Sequence, residues 1–126
     1  MNFTLELLPT TFAVCRLNSA APIPDWATGT FVSTTRTTEE LSIVCDRQEV
    51  PQDVKAERDW RCFRVAGKLN FSLVGVIATL TTALAEAGIS VFVVSTFDTD
   101  FVLVREADVE NAMEVLRQGG HKLNRP

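Results

Sequence analysis

The 126-residue chain has no tyrosine, a single histidine, three cysteines and two methionines. Each shortage removes a class of chemistry. His121 is the only imidazole and stands in a polar tail, so a serine or cysteine nucleophile would lack the base that activates it. Cys15, Cys45 and Cys62 are odd in number, widely separated and set in apolar runs. Neither a disulfide framework nor the close cysteine pairs of a zinc site is indicated, and burial as small hydrophobes is the expectation. No metal and no cofactor are expected.

Basic charge is also scarce. Twelve Lys and Arg against 16 Asp and Glu give a net charge of -4. Up to Arg58 there are 5 basic and 8 acidic residues, which leaves 7 and 8 beyond it. Neither half offers the positive stripe that neutralises phosphates, so nucleic acid is not an expected partner. No apolar run reaches the roughly 20 residues of a membrane helix. The start, MNFTLELLPTTFAV, has no basic residue before an apolar core and breaks at Pro9, unlike a secretory signal. A cytoplasmic protein without membrane contact is therefore expected.

What the chain does contain is enough apolar material to fold: 46% of its residues are hydrophobic and 22% charged. Its length suits one compact domain or two very small ones. From Arg61 onward the pattern reads β-α-β-β-α: RCFRV, the loop AGKLNF, a long periodic segment, ISVFVVST, the turn FDTD, FVLVRE and a final helix. Leu73, Val76, Ile77, Leu80, Ala83, Leu84 and Ala87 recur at helical spacing, Gly88 marks the stop, and Ser72 is a candidate N-cap. The opposite face of this helix, with Gly75, Ala78, Thr79, Thr82 and Ala85, carries Glu86 as its only charge. A solvated helix face normally carries more. In the final helix Val109, Ala112, Met113 and Leu116 form a narrow apolar stripe among charged neighbours.

Before Arg58 four short strands are expected, FTLELL, TFAVCRL, TFVSTTRTT and ELSIVCDRQEV. Only a turn or short helix fits around Pro24 to Trp26. The plan is that of the second half in degenerate form, with the polar stretch PQDVKAERD, residues 51–59, as linker. The fold expected is α+β, two β-α-β-β units side by side, with a degenerate unit over 1–58 and a complete one over 59–126.

The string VSTFDTDFVLV, residues 94–104, places Asp98 and Asp100 at a hairpin tip. Aspartates suit turns for local reasons. A helix start close to such a tip has a second use, because its free N–H groups attract a carboxylate while an aspartate attracts an ammonium. A zwitterion satisfies both. As an acid–base pair the two aspartates are expected to face apart, and no histidine, nucleophile pair or phosphate-binding glycine loop accompanies them.

The second half resembles the ACT-domain proteins related to the CASTOR arginine sensors and to the regulatory domains of aspartate kinase. The signals are SLVGVIA at the start of the helix, the phrase AEAGISVFVVSTFDTDFVLV with its STF-x-x-D string, and the trailing V-x-x-A-x-x-x-L helix. The likeness covers roughly residues 60–121 well, and residues 3–50 resemble the more divergent first unit of tandem ACT proteins. It implies ferredoxin-like units, no catalytic residues, and amino-acid binding between ACT units with a signal passed by altered association, as a homodimer or with a partner protein. Residue by residue, it implies that the backbone of Leu73, Val74, Gly75 and Val76 holds the main-chain groups of an amino acid. Thr96, Phe97 and Asp100 would complete the site, with Asp100 facing a cationic group and Asp98 left to the turn. Arginine recognition in that pattern also uses an acidic residue near the helix start, and SLVGV has none. A smaller or less basic amino acid suits this apolar start better. A ligand-free unit that only pairs with itself or with an enzyme subunit is the alternative.

Overall fold

The computed structural model describes residues 2–70 and 74–126. The chain forms two compact units: residues up to Pro9 together with Arg61–Pro126, and Thr10–Trp60. The architecture is α+β with ferredoxin-like topology. The expected cut after Arg58 places the first strand with the first unit, whereas by contact that strand groups with the second. The cause is pairing, since its partners lie after residue 60.

The larger unit contains strand β1 (Thr4–Leu7), and the shorter Thr10–Trp60 unit contains β2 (Phe12–Leu17), β3 (Ser33–Arg36) and β4 (Leu41–Asp46). Strand β5 (Lys55–Val65) then gives its first six residues to the shorter unit and its last five to the larger. After it come helix α1 (Val76–Glu86), β6 (Val91–Ser95), β7 (Asp100–Arg105), helix α2 (Val109–Gln118) and β8 (Lys122–Asn124).

In the larger unit β5, α1, β6, β7, α2 and β8 follow one another as β-α-β-β-α-β. Strand β1 is intercalated, antiparallel to β5 through Leu5↔Val65 and parallel to β8 through Leu5↔Leu123. On the other side of β5 lies β7, and beyond it β6 forms the edge. Alternation along the strands turns Leu5, Leu7, Phe63, Val65, Val102 and Val104 into one core with Val76, Leu80 and Leu84 of α1 and Val109, Ala112, Met113 and Leu116 of α2. The α2 stripe read from the sequence is buried throughout; of the α1 stripe Val76, Leu80 and Leu84 are buried, Ile77 and Ala83 half-buried and Ala87 exposed, and Leu73 lies outside the described residues. Helix α1 ends in a Schellman arrangement: Ile89 N–H reaches Leu84 C=O at 3.0 Å and Gly88 N–H reaches Ala85 C=O at 3.0 Å, with Gly88 at φ +75°.

The polar tail of the sequence is a strand. Lys122 N–H donates to Phe3 C=O at 2.9 Å as β8 docks on β1. His121 is buried, its Nδ1 accepts the Phe3 N–H at 3.0 Å, and its ring stacks on Phe3. A three-residue strand with two exposed polar side chains leaves no periodic signal, which is why the segment reads as a tail.

In the shorter unit β2 pairs antiparallel with both β4 and the first half of β5, and β3 pairs with β4. Residues 55–59, read as linker, are thus strand. Lys55, Glu57 and Asp59 are exposed at alternate positions, so one face of a half-buried strand looks like a charged linker. No helix occurs among the described residues between β2 and β3. Ala21, Trp26 and Ala27 of that irregular segment pack instead on Ala13, Cys15, Leu41, Ile43, Cys45 and Val50. All three cysteines are free and buried. Burial pushes the Cys62 thiol up to about 12, and a hydrogen bond to Cys15 together with burial holds Cys45 protonated.

Candidate functional site

Two features of the larger unit meet at one cleft: the start of α1 and the tip of the β6–β7 hairpin. Gly75 caps the helix with φ +84° and ψ 8°, a left-handed conformation that glycine adopts without a Cβ penalty. The helix therefore starts at Val76, and the expected N-cap, Ser72, lies outside the described residues. Gly75 C=O accepts both the N–H of Thr79 at 2.9 Å and its hydroxyl at 2.7 Å. The N–H groups of Val76, Ile77 and Ala78 precede that first helical bond and have no acceptor within the helix. Gly75 has no side chain to cap them, and no acidic residue stands in the first turn. This end of the helix attracts negative charge.

The hairpin ladder runs from Val91↔Val104 to Ser95↔Asp100, which leaves Thr96 to Thr99 as the tip. Thr96 N–H donates to Thr99 C=O at 2.8 Å, and the Thr96 hydroxyl donates to the same carbonyl at 3.0 Å while accepting the Thr99 N–H at 3.3 Å. The Thr96 hydroxyl is thus committed to closing the turn. Phe97 stands out at 79% exposure. Asp100 is half-buried at the start of β7, and among the described residues its carboxylate has no hydrogen-bond or ion-pair partner.

Between these features is a cleft of about 360 Å³. One wall is Leu69 and Asn70 with Gly75 to Ala78, and the other is Ser95 to Asp100. Of the seven residues that the sequence singles out, Gly75, Val76, Thr96, Phe97 and Asp100 border the cleft. Val74 is 81% exposed and does not line it, and Leu73 lies outside the described residues. Asp98, assigned to the turn alone and expected to face away from Asp100, lines the same cleft. The wall therefore carries two carboxylates and no Lys or Arg. Sequence reasoning also missed Thr99, which is 4% exposed and donates its hydroxyl to Val65 C=O at 2.7 Å. The Thr-x-x-Thr spacing around a two-residue turn was the available signal. No group of three or more His, Cys, Asp or Glu among the described residues is placed to hold a metal.

Comparison with known proteins bears on the family and the fold. A family model described as ACT domain matches residues 55–118, and a second model, described as an N-terminal domain, matches residues 10–53. The human cytosolic arginine sensor for mTORC1, subunit 1, is 31% identical over 108 residues, or 79% of this chain. The chain spans about a third of that protein's length, 33%. A solved structure from Agrobacterium tumefaciens superposes with a TM-score of 0.94 at 40% identity, over 100% of this chain and 95% of that one. The ligand-free regulatory subunit of Thermus thermophilus aspartate kinase shares the fold, with a TM-score of 0.64 at 12% identity over 94% and 99% of the two chains. The ACT match over half of the chain, with the β-α-β-β-α-β unit that it covers, makes this protein a member of the ACT-domain family.

Proposed function

We propose that the chain is a regulatory module that binds an amino acid or a similar small zwitterion in the cleft between the α1 start and the hairpin tip, without catalysis. The observation that carries this reading is the pairing of opposite electrostatic characters across about 360 Å³: the N–H groups of the first turn of α1, which no helix carbonyl accepts, on one wall, the Asp98 and Asp100 carboxylates on the other. A carboxylate and an ammonium on one ligand would satisfy both. Gly75 and Val76 supply backbone to the ligand's main-chain groups in this reading, Phe97 covers it and Asp100 meets its cationic group. Family membership supports a regulatory small-molecule role, and the human relative's name, an arginine sensor, supports an amino acid as ligand. No helix among the described residues is long and apolar enough to cross a membrane. We place the protein in the cytoplasm, as a homodimer or with a partner protein.

A thermal-shift screen against the twenty amino acids and a few polyamines tests the proposal. A ligand at 100 times its dissociation constant stabilises the fold by about 2.7 kcal/mol, equivalent to roughly 10 °C for a chain of this size. Asp100→Ala should abolish that shift and change the ligand-free stability by no more than about 0.5 kcal/mol, since the carboxylate bonds to nothing in the described structure. A ligand shift that survives the substitution removes Asp100 from the site.

A second reading, a ligand-free protein that pairs with itself or with an enzyme subunit, is favoured by a different observation. Ala78, Thr82 and Ala85 are exposed and uncharged on α1, beside an edge strand, β6, whose VFVV run is half-buried on both faces. A flat screen with a concentration-dependent dimer would select it.

A further inference from the structure

The hairpin tip, Thr96 to Thr99, closes on itself through Thr96 and Thr99, and among the described residues no residue other than glycine has positive φ. The tip is also tied to the segment that leads from β5 to α1. Thr99 Oγ1 donates to Val65 C=O at 2.7 Å, and Leu69 N–H donates to Asp98 C=O at 2.7 Å. Val65 ends β5 and is fully buried, and the Thr99 hydroxyl is a hydrogen-bond partner of its carbonyl. Residues 95–98 are exposed while Thr99 between them and Asp100 is 4% exposed. Of the two ties, Thr99 supplies the one made by a side chain.

We infer that Thr99 is the positioning residue of the proposed cleft, its buried hydroxyl fixing the tip that carries Phe97, Asp98 and Asp100 against the end of β5. This rests on the binding function proposed above. The consequence follows from connectivity. Leu69 and Asn70 line the wall opposite the tip, so the Val65 tie and the Leu69 tie together set the width of the cleft. Releasing the first frees Thr99, and with it the bracket through which Thr96 closes the turn.

Thr99→Val keeps the side-chain shape and removes the donor, and Thr99→Ser keeps the donor. Amide hydrogen exchange reads the tip without any ligand, and titration with L-arginine reads the cleft. The expected result is faster exchange at the Thr96 and Leu69 amides in Thr99→Val, unchanged exchange in helix α2, and L-arginine binding weakened about tenfold. Thr99→Ser should restore both. Wild-type exchange in Thr99→Val overturns the inference, as does a Thr99→Ser variant as impaired as Thr99→Val, which would assign the role to packing of the methyl group. If valine prevents folding, Thr99→Ala, which removes the donor without adding bulk, faces the same two outcomes. Should the wild-type protein not bind L-arginine, the failure belongs to the proposed function for that ligand, and the exchange measurement still decides the role of Thr99.

Discussion

Replacing Gly75 by alanine isolates one energy term at the start of α1. The residue sits at φ +84°, and a Cβ built there meets no atom of the described residues within 4 Å. Collision with those residues therefore contributes nothing, and the cost is backbone strain, about 1–2 kcal/mol for an L-residue in the left-handed region. For a chain of this length the melting midpoint should fall by roughly 3–10 °C. Asparagine, which tolerates this region better, should lose less. Thermal unfolding followed by circular dichroism in the wild type and the two variants measures the series. The Gly75 carbonyl still accepts from Thr79, so the helix should keep its length and its far-UV signal. An alanine variant as stable as wild type would refute the left-handed cap, and a loss above about 4 kcal/mol would show that something packs against the residue after all.

Three further outcomes are expected. Leu80, 1% exposed in the core between α1 and the sheet, should not tolerate aspartate, since an unpaired buried charge costs several kcal/mol against a total of about 5–15; a soluble Leu80→Asp protein with a cooperative melt contradicts the packing. His121 is held below its ordinary value of 6.5, first by burial and then by the amino-terminal charge, so it is neutral in the fold and accepts the Phe3 N–H. Its contribution to stability is complete above 6.5 and is lost as pH falls from there toward the folded value, because the unfolded chain takes up the proton first. Melting midpoints between pH 7.5 and 5 should fall less steeply in His121→Asn, and equal slopes would remove His121 as the cause. Thr82→Glu places a charge on the exposed neutral face of α1 and should shift a dimer toward monomer in size-exclusion chromatography. An unchanged elution volume places any pairing elsewhere.

The sequence by itself determined the elements whose signal is local. The Leu80, Leu84 and Val109, Ala112, Met113, Leu116 stripes mark two helices, and the alternating runs around Phe97 and Asp98 mark a hairpin, because side-chain period reports burial one element at a time. It also placed Gly75, Val76, Thr96, Phe97 and Asp100 in one neighbourhood, through STF-x-x-D and SLVGVIA and the family they resemble. What only the tertiary structure decided is non-local. Thr4 pairs with Lys122 across most of the chain, and that pairing moves β1 into the larger unit, turns a polar tail into β8 and buries His121. Lys55 to Asp59 became strand because β2 was there to receive their backbone, a partner that their charged side chains do not announce. Asp98 joined the cleft, and Thr99 its support, through bonds to Leu69 and Val65 some thirty residues earlier. Hydrogen bonds between segments so far apart follow from how the chain packs, and periodicity carries no trace of them.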